Sequence, residues 1–146
     1  MITGDYKPSK WDWVSQQIAD YEASGGKEAA TLLDTGIPVI IVTMRGHKSG
    51  AVRKIALMRV EHEGEYALVA SKGGAPENPG WYHNIVADNE VMVQDGPEPF
   101  MTTARMVSGE ERDLWWQRSV AVYEPYAEYQ DKTDREIPVF VTAASA

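Results

Sequence analysis

Hydrophobic positions change their period several times along the chain, and the changes mark its elements. Trp11, Val14, Ile18 and Tyr21 recur every three or four residues between positions 9 and 24, which predicts an amphipathic helix that Gly25-Gly26 ends. Residues 37–44 form a continuous apolar, β-branched run, the pattern of a buried strand. Positions 51–62 and 66–70, joined by Glu63-Gly64-Glu65, read as a hairpin. Positions 90–94 and 99–107, joined through Asp95-Gly96-Pro97, read as a second hairpin, and residues 137–142 supply a sixth strand. Six strands with short turns predict a closed or nearly closed antiparallel barrel, because a flat sheet would leave an apolar face and two edges uncovered.

Helical signals interrupt the strands. Ser108-Gly109-Glu110-Glu111 has the spacing of a capping box, and Leu114, Trp115 and Val122 continue it as a helix. Tyr123, Tyr126 and Tyr129 follow at intervals that place them on one side of a helical turn, with Pro125 interrupting or restarting the helix. Pro79 is placed to open a short helix carrying Trp81, Tyr82 and Asn84.

A chain of 146 residues suits one domain, with residues 1–26 as helix and turn and residues 27–146 as barrel. Fourteen basic against 22 acidic side chains give a net charge of −8, which argues against nucleic-acid binding. Charge is nonetheless uneven. Between positions 35 and 60 stand Arg45, Lys48, Arg53, Lys54 and Arg59 with no Asp or Glu, the composition of a local anion site. Cysteine is absent and His47, His62 and His83 lack ligand spacing, so no metal is expected. With no basic and apolar leader and no apolar run of about 20 residues, the expectation is a cytoplasmic protein. Its N-terminal helix would pack on the domain, cover a ligand, or make a peripheral membrane contact.

The most informative stretch follows the strand over 66–70 directly. In Ser71-Lys72-Gly73-Gly74 the glycines permit φ > 0 and close approach of backbone N–H groups, and Lys72 adds a positive charge, which together suit an anion. Trp81, Tyr82 and Asn84 add two flat rings and an amide nearby. The same residues also suit a plain strand-to-helix connection.

In order, these features resemble the deazaflavin-dependent nitroreductase family. Thr43-Met44-Arg45-Gly46-His47-Lys48-Ser49-Gly50 followed by Arg53 is similar to the family's T-x-G-(R/H)-K-(S/T)-G-x-x-R segment. Ala70-Ser71-Lys72-Gly73-Gly74, Asn78-Pro79, Trp81-Tyr82 and Asn84 are similar to its A-S-K-G-G-x-x-x-N-P-x-W-Y-x-N segment. Tyr123, Tyr126, Tyr129, Thr133-Asp134-Arg135 and Ile137-Pro138 are similar to its C-terminal pattern. The resemblance implies a mainly β fold, a split antiparallel β-barrel of the FMN-binding split-barrel type with an N-terminal helix and short helical insertions. It implies coenzyme F-420, an 8-hydroxy-5-deazaflavin with a phosphate and a polyglutamate tail, and hydride transfer to hydrophobic unsaturated acceptors. Those acceptors are quinones, α,β-unsaturated lactones or enones, and nitroaromatics. Carried over by position, Arg45, His47, Lys48, Ser49, Arg53, Ala70, Ser71, Lys72, Gly73, Gly74, Trp81 and Asn84 would bind the coenzyme. Ser71, Tyr126 and Tyr129 would be catalytic, and Met58, Tyr123, Tyr126 and Tyr129 would meet the acceptor. The chain departs from the pattern at Ile55-Ala56-Leu57-Met58, where Met58 stands in place of an aromatic, so the identity of the acceptor does not transfer. An FMN enzyme of the wider superfamily and a non-catalytic deazaflavin carrier are the alternatives.

Overall fold

The computed structural model describes residues 2–32 and 35–144. Seven strands form one antiparallel sheet: β1 (Val39–Arg45), β2 (Val52–Met58), β3 (Glu61–His62), β4 (Glu65–Val69), β5 (Glu90–Gln94), β6 (Pro99–Met106) and β7 (Val139–Ala144), in the order β2-β1-β5-β6-β7-β4-β3. Four helices accompany it: α1 (Asp12–Ser24), α2 (Gly80–Ala87), α3 (Gly109–Val122) and α4 (Pro125–Asp131). Pro125 thus starts a new helix.

The count exceeds the expected six because the run over 51–62 is two strands. β2 pairs with β1, whereas β3 pairs with β4 at the far end of the sheet. Between them the Arg59 N–H donates to Pro38 O at 2.8 Å, and Val60 O accepts from the Ala67 N–H at 2.9 Å. The chain therefore steps from one end of the ladder to the other in two residues, which curls the sheet into a split barrel. Val60 is 1% exposed, packed with Val69, Trp115 and Tyr126, so leaving the first strand buries a side chain that a straight strand would not. The Arg59 guanidinium fixes the corner. Its Nε donates to Asp95 Oδ2 at 2.7 Å, and the same oxygen accepts from the Tyr66 hydroxyl at 2.6 Å.

Burial on both faces explains the unbroken apolar run of β1. Ile40, Val42 and Met44 meet Leu68, Ile85 and Phe140 inside the barrel, while Val39 and Ile41 meet Ile18 and Tyr21 of α1 outside it. At the other end of the sheet, Ala67, Val69, Val139 and Val141 face Trp115 of α3 and Tyr126 of α4. The sheet is thus a wall between an inner core and two outer helical layers.

Two local expectations are corrected. The capping box does not form: Ser108 makes no side-chain cap, and Glu111 instead accepts two bonds of 2.7 Å from the guanidinium of Arg105 on β6. A bidentate charged pair is stronger than a single hydroxyl cap. The helix face packs through Val14, Ile18 and Tyr21 but not through Trp11. Ile18 and Tyr21 are buried, whereas Trp11 is 60% and Trp13 52% exposed.

Gly74 shows why the loop after β4 needs a residue without Cβ. Its φ is +83°, and a Cβ there would lie 2.7 Å from Tyr129 O, whereas Gly73, at φ +63°, faces open space. Gly74→Ala should therefore cost about 2–4 kcal/mol through strain plus backbone overlap, and Gly73→Ala only about 1–2 kcal/mol of strain. Urea unfolding midpoints of the two variants check this; equal losses would remove the packing role.

Candidate functional site

A cavity of about 720 Å³ opens between β2, the turn after β1, the start of α2 and the segment that precedes α1. β2 lines one side with Arg53, Lys54, Ile55, Ala56 and Leu57, of which Ile55 and Leu57 also pack on the inner core. The first turn of α2 brings Trp81 and Asn84, and the turn after β1 brings His47 and Lys48. Apolar, aromatic and cationic surfaces thus meet in one place.

Charge within the basic segment is sorted by its partners. Lys54 is taken by Glu22 of α1, with contacts of 2.7 and 2.9 Å, and Arg59 by Asp95. Among the described residues Lys48 and Arg53 make no ion pair, so the cavity keeps their charge. Arg45 closes β1 opposite Val52 and does not line the cavity; neither does Ser49, whose Oγ accepts the Ala51 N–H at 3.2 Å within the turn.

Asn84 orients His47. Its Oδ1 accepts the His47 backbone N–H at 2.9 Å and lies 2.6 Å from His47 Nδ1. The backbone donor identifies that atom as the amide oxygen, so Nδ1 carries a proton and the neutral ring keeps its lone pair on Nε2.

The loop after β4 lies apart from the cavity lining and is held by one side chain. Arg135 donates from Nη2 to Ser71 O at 2.9 Å, from Nη1 to Ala70 O at 3.3 Å and Asn78 Oδ1 at 2.7 Å, and from Nε to Ala75 O at 3.0 Å. Burial lowers its pKa from the ordinary guanidinium range. Ala70 is fully buried and Ser71 is 9% exposed, while Lys72 pairs with Glu77 at 2.8 Å on the surface. Gly74 seats the loop on α4, a role in packing that the glycine pattern alone did not reveal.

On that same side Tyr123, Tyr126 and Tyr129 cluster. The Tyr123 and Tyr129 hydroxyls are 3.1 Å apart, and the Tyr126 ring lies 5.0 Å from Tyr123 and 6.3 Å from Tyr129. The hydrogen bond with Tyr123, then burial, pushes Tyr129 up to about 12; burial pushes the 2% exposed Tyr126 up as well. Met58 packs against this cluster. The expected site residues therefore fall into two groups, and the boundary runs along β2: Leu57 lines the cavity and Met58, its neighbour, joins the tyrosines.

Sequence reasoning did not find the role of Arg135, whose bonds reach residues 57 to 65 positions away. Nor did it find that Lys7 and Pro8, ahead of the predicted helix, line the cavity, since they belong to no periodic pattern.

Comparisons with known proteins converge. The family model described as F420H(2)-dependent quinone reductase matches residues 13–144. An F420H(2)-dependent quinone reductase of Mycobacterium tuberculosis is 36% identical over 107 residues, covering 71% of this chain and 72% of that protein. A solved structure titled as an F420-H2 dependent reductase is 53% identical with a TM-score of 0.70, covering 73% of this chain and 94% of the other. A second, titled as a domain-swapped dimer, is 48% identical with a TM-score of 0.72, covering 92% of this chain and all (100%) of the other.

Because Arg135 donates to three carbonyls of the loop and to Asn78 Oδ1, Arg135→Lys should not replace it: an ammonium cannot span the fork. The variant should lose about 1–3 kcal/mol of stability, and the Gly74 and Ala75 amides, bonded within the loop at 2.9 and 3.1 Å, should exchange hydrogen faster than those of α1. Unchanged exchange at both amides would remove Arg135 as the anchor.

Proposed function

The chain belongs to the F420H(2)-dependent quinone reductase family and is an F-420-dependent reductase; we propose that it delivers hydride to quinones and related hydrophobic unsaturated acceptors. One observation carries the site assignment: two cations without carboxylate partners, Lys48 and Arg53, border a cavity whose other walls include Ile55, Leu57 and Trp81. That donor set fits a ligand with a phosphate and a flat ring, and the volume lies in the range of about 300–1,000 Å³ usual for such sites.

When bound, the reduced deazaflavin supplies a hydride, because carbon in place of nitrogen 5 leaves a two-electron step. The chain's residues bind, orient and move protons. Lys48 and Arg53 hold the phosphate, Trp81 offers a face to the ring, and Asn84 keeps His47 in one tautomer as an acceptor for a ligand hydroxyl. Hydride addition to a quinone leaves negative charge on its oxygen, so a donor aimed there lowers the barrier. Tyr129 is assigned that role, since its hydroxyl is bonded to Tyr123 and keeps its proton up to about pH 12. Ser71, fixed through its carbonyl by Arg135, is assigned as a second donor. Tyr126 supports the pair by packing, with Met58 shaping the acceptor side.

Lys48→Ala and Arg53→Ala should each remove a charged hydrogen bond worth about 1.5–3 kcal/mol, which weakens oxidised F-420 about 10-fold to 100-fold. Titrations of both variants and the parent, with FMN run in parallel, measure this. Parent-like affinity in both variants, or tighter binding of FMN than of F-420, would overturn the assignment of the cavity.

Tyr129→Phe should lower quinone turnover, by up to the roughly 10²-fold to 10⁴-fold typical of a proton donor, while F-420 affinity stays constant. Raising the tyrosine pKa keeps the hydroxyl protonated, so the parent rate should show no tyrosine inflection between neutral pH and about pH 10. Normal turnover of the variant would assign Tyr129 to packing, and tight coenzyme binding with no oxidation by quinones, enones or nitroaromatics would make the protein a carrier.

A further inference from the structure

The segment ahead of α1 is tied to the barrel edge as a strap. The Lys7 N–H donates to Val52 O at 2.9 Å, the Val52 N–H donates to Asp5 O at 2.8 Å, and Tyr6 forms a parallel bridge with Val52. Past that attachment Lys7, Pro8, Ser9, Lys10 and Trp11 form one side of the cavity. These residues precede the portion of the chain, 13–144, that matches the family.

We propose that the strap is a second anion subsite, in which Lys7 and Lys10 bind carboxylates extending from a ligand anchored at Lys48 and Arg53. It rests on the reading of the cavity as the F-420 site. Among the described residues neither Lys7 nor Lys10 makes an ion pair, and Glu22 of α1 is engaged on both oxygens by Lys54. The Lys10 ammonium lies 5.6 Å from the Trp11 ring centroid, a contact that holds its stem along the cavity rim. Four cations without carboxylate partners therefore border one cavity in a chain of net charge −8. Lys48 and Arg53 suffice for a phosphate. The surplus pair on a separate segment matches an anion that extends beyond it, and lysines, as rotatable point charges, suit carboxylates spaced along a flexible chain better than one fixed oxyanion. Both side chains stand on exposed residues, so replacing them leaves the fold intact.

The test compares the parent with the Lys7→Ala/Lys10→Ala double variant by titration with oxidised coenzyme in three forms: the ring and its sugar-alcohol chain alone, the form ending at the phosphate, and the form extended by glutamates. The parent should gain affinity from the glutamates, and the double variant should lose roughly 3-fold to 30-fold on the extended form, as expected for two exposed ion pairs. The form ending at the phosphate should change by no more than about 2-fold, and the Lys7→Glu/Lys10→Glu variant should make the glutamates unfavourable. Equal weakening of the phosphate and glutamate forms would place the lysines in the phosphate site and overturn the proposal. Parent-like binding of the extended form would overturn it too. Failure of the parent to bind any form would overturn the cavity reading itself, an outcome distinct from both.

Discussion

The two-residue step at Arg59 and Val60 is the constraint on which the rest of the structure depends. A strand that continued straight past Met58 would leave the outer edge of β4, opposite β7, without β3 to cover it. The step is held at three points: by the Arg59 N–H on Pro38, by burial of Val60, and by Asp95, which receives both the Arg59 guanidinium and the Tyr66 hydroxyl. It also divides the site. Leu57 lines the cavity and packs on the inner core, whereas Met58, the last residue of β2, packs with the tyrosine cluster as the chain leaves that strand.

Electrostatics follow from the same geometry. A basic run in the sequence is not by itself a basic site, and two of its five members are consumed by structure. Lys54 ties β2 to α1 through Glu22 and Arg59 ties the corner through Asp95. What remains at the cavity is a smaller, more specific set. The tyrosine side contrasts with it: the Tyr129 hydroxyl is kept neutral by a hydrogen bond and by burial, whereas the cavity carries fixed charge.

Much of this was legible in the chain. Strands β1, β4, β5, β6 and β7 declared themselves through β-branched runs or alternation, and of the residues in the motif blocks His47, Lys48, Arg53, Trp81 and Asn84 line one cavity while Arg45 and Ser49 do not. What was illegible shares a physical cause: it depends on contacts between residues far apart in sequence. Val60 looks like one more strand residue until its burial beside Trp115 is known. Gly74 looks like a ligand loop until α4 is packed on it, and Glu111 looks like half of a capping box until Arg105 stands opposite. Residues 5–8 of the strap, ahead of the predicted helix, have no period, because the two backbone bonds to Val52 need none.

The position of β7 between β6 and β4 has a consequence for how the molecule is made. Residues Val139–Ala144 are the last strand in chain order, yet they join the two parts of the ladder, pairing Thr142 with Tyr66 on one edge and with Ala104 on the other. As the chain leaves the ribosome, β1, β2, β5 and β6 can pair locally, but β4 has only the two-residue β3 beside it until β7 emerges. The edges of β4 and β6 therefore stay unpaired until β7 docks between them, so the ladder closes through contacts between residues far apart in sequence, and a chain with β7 undocked presents two strand edges open to strand-to-strand aggregation.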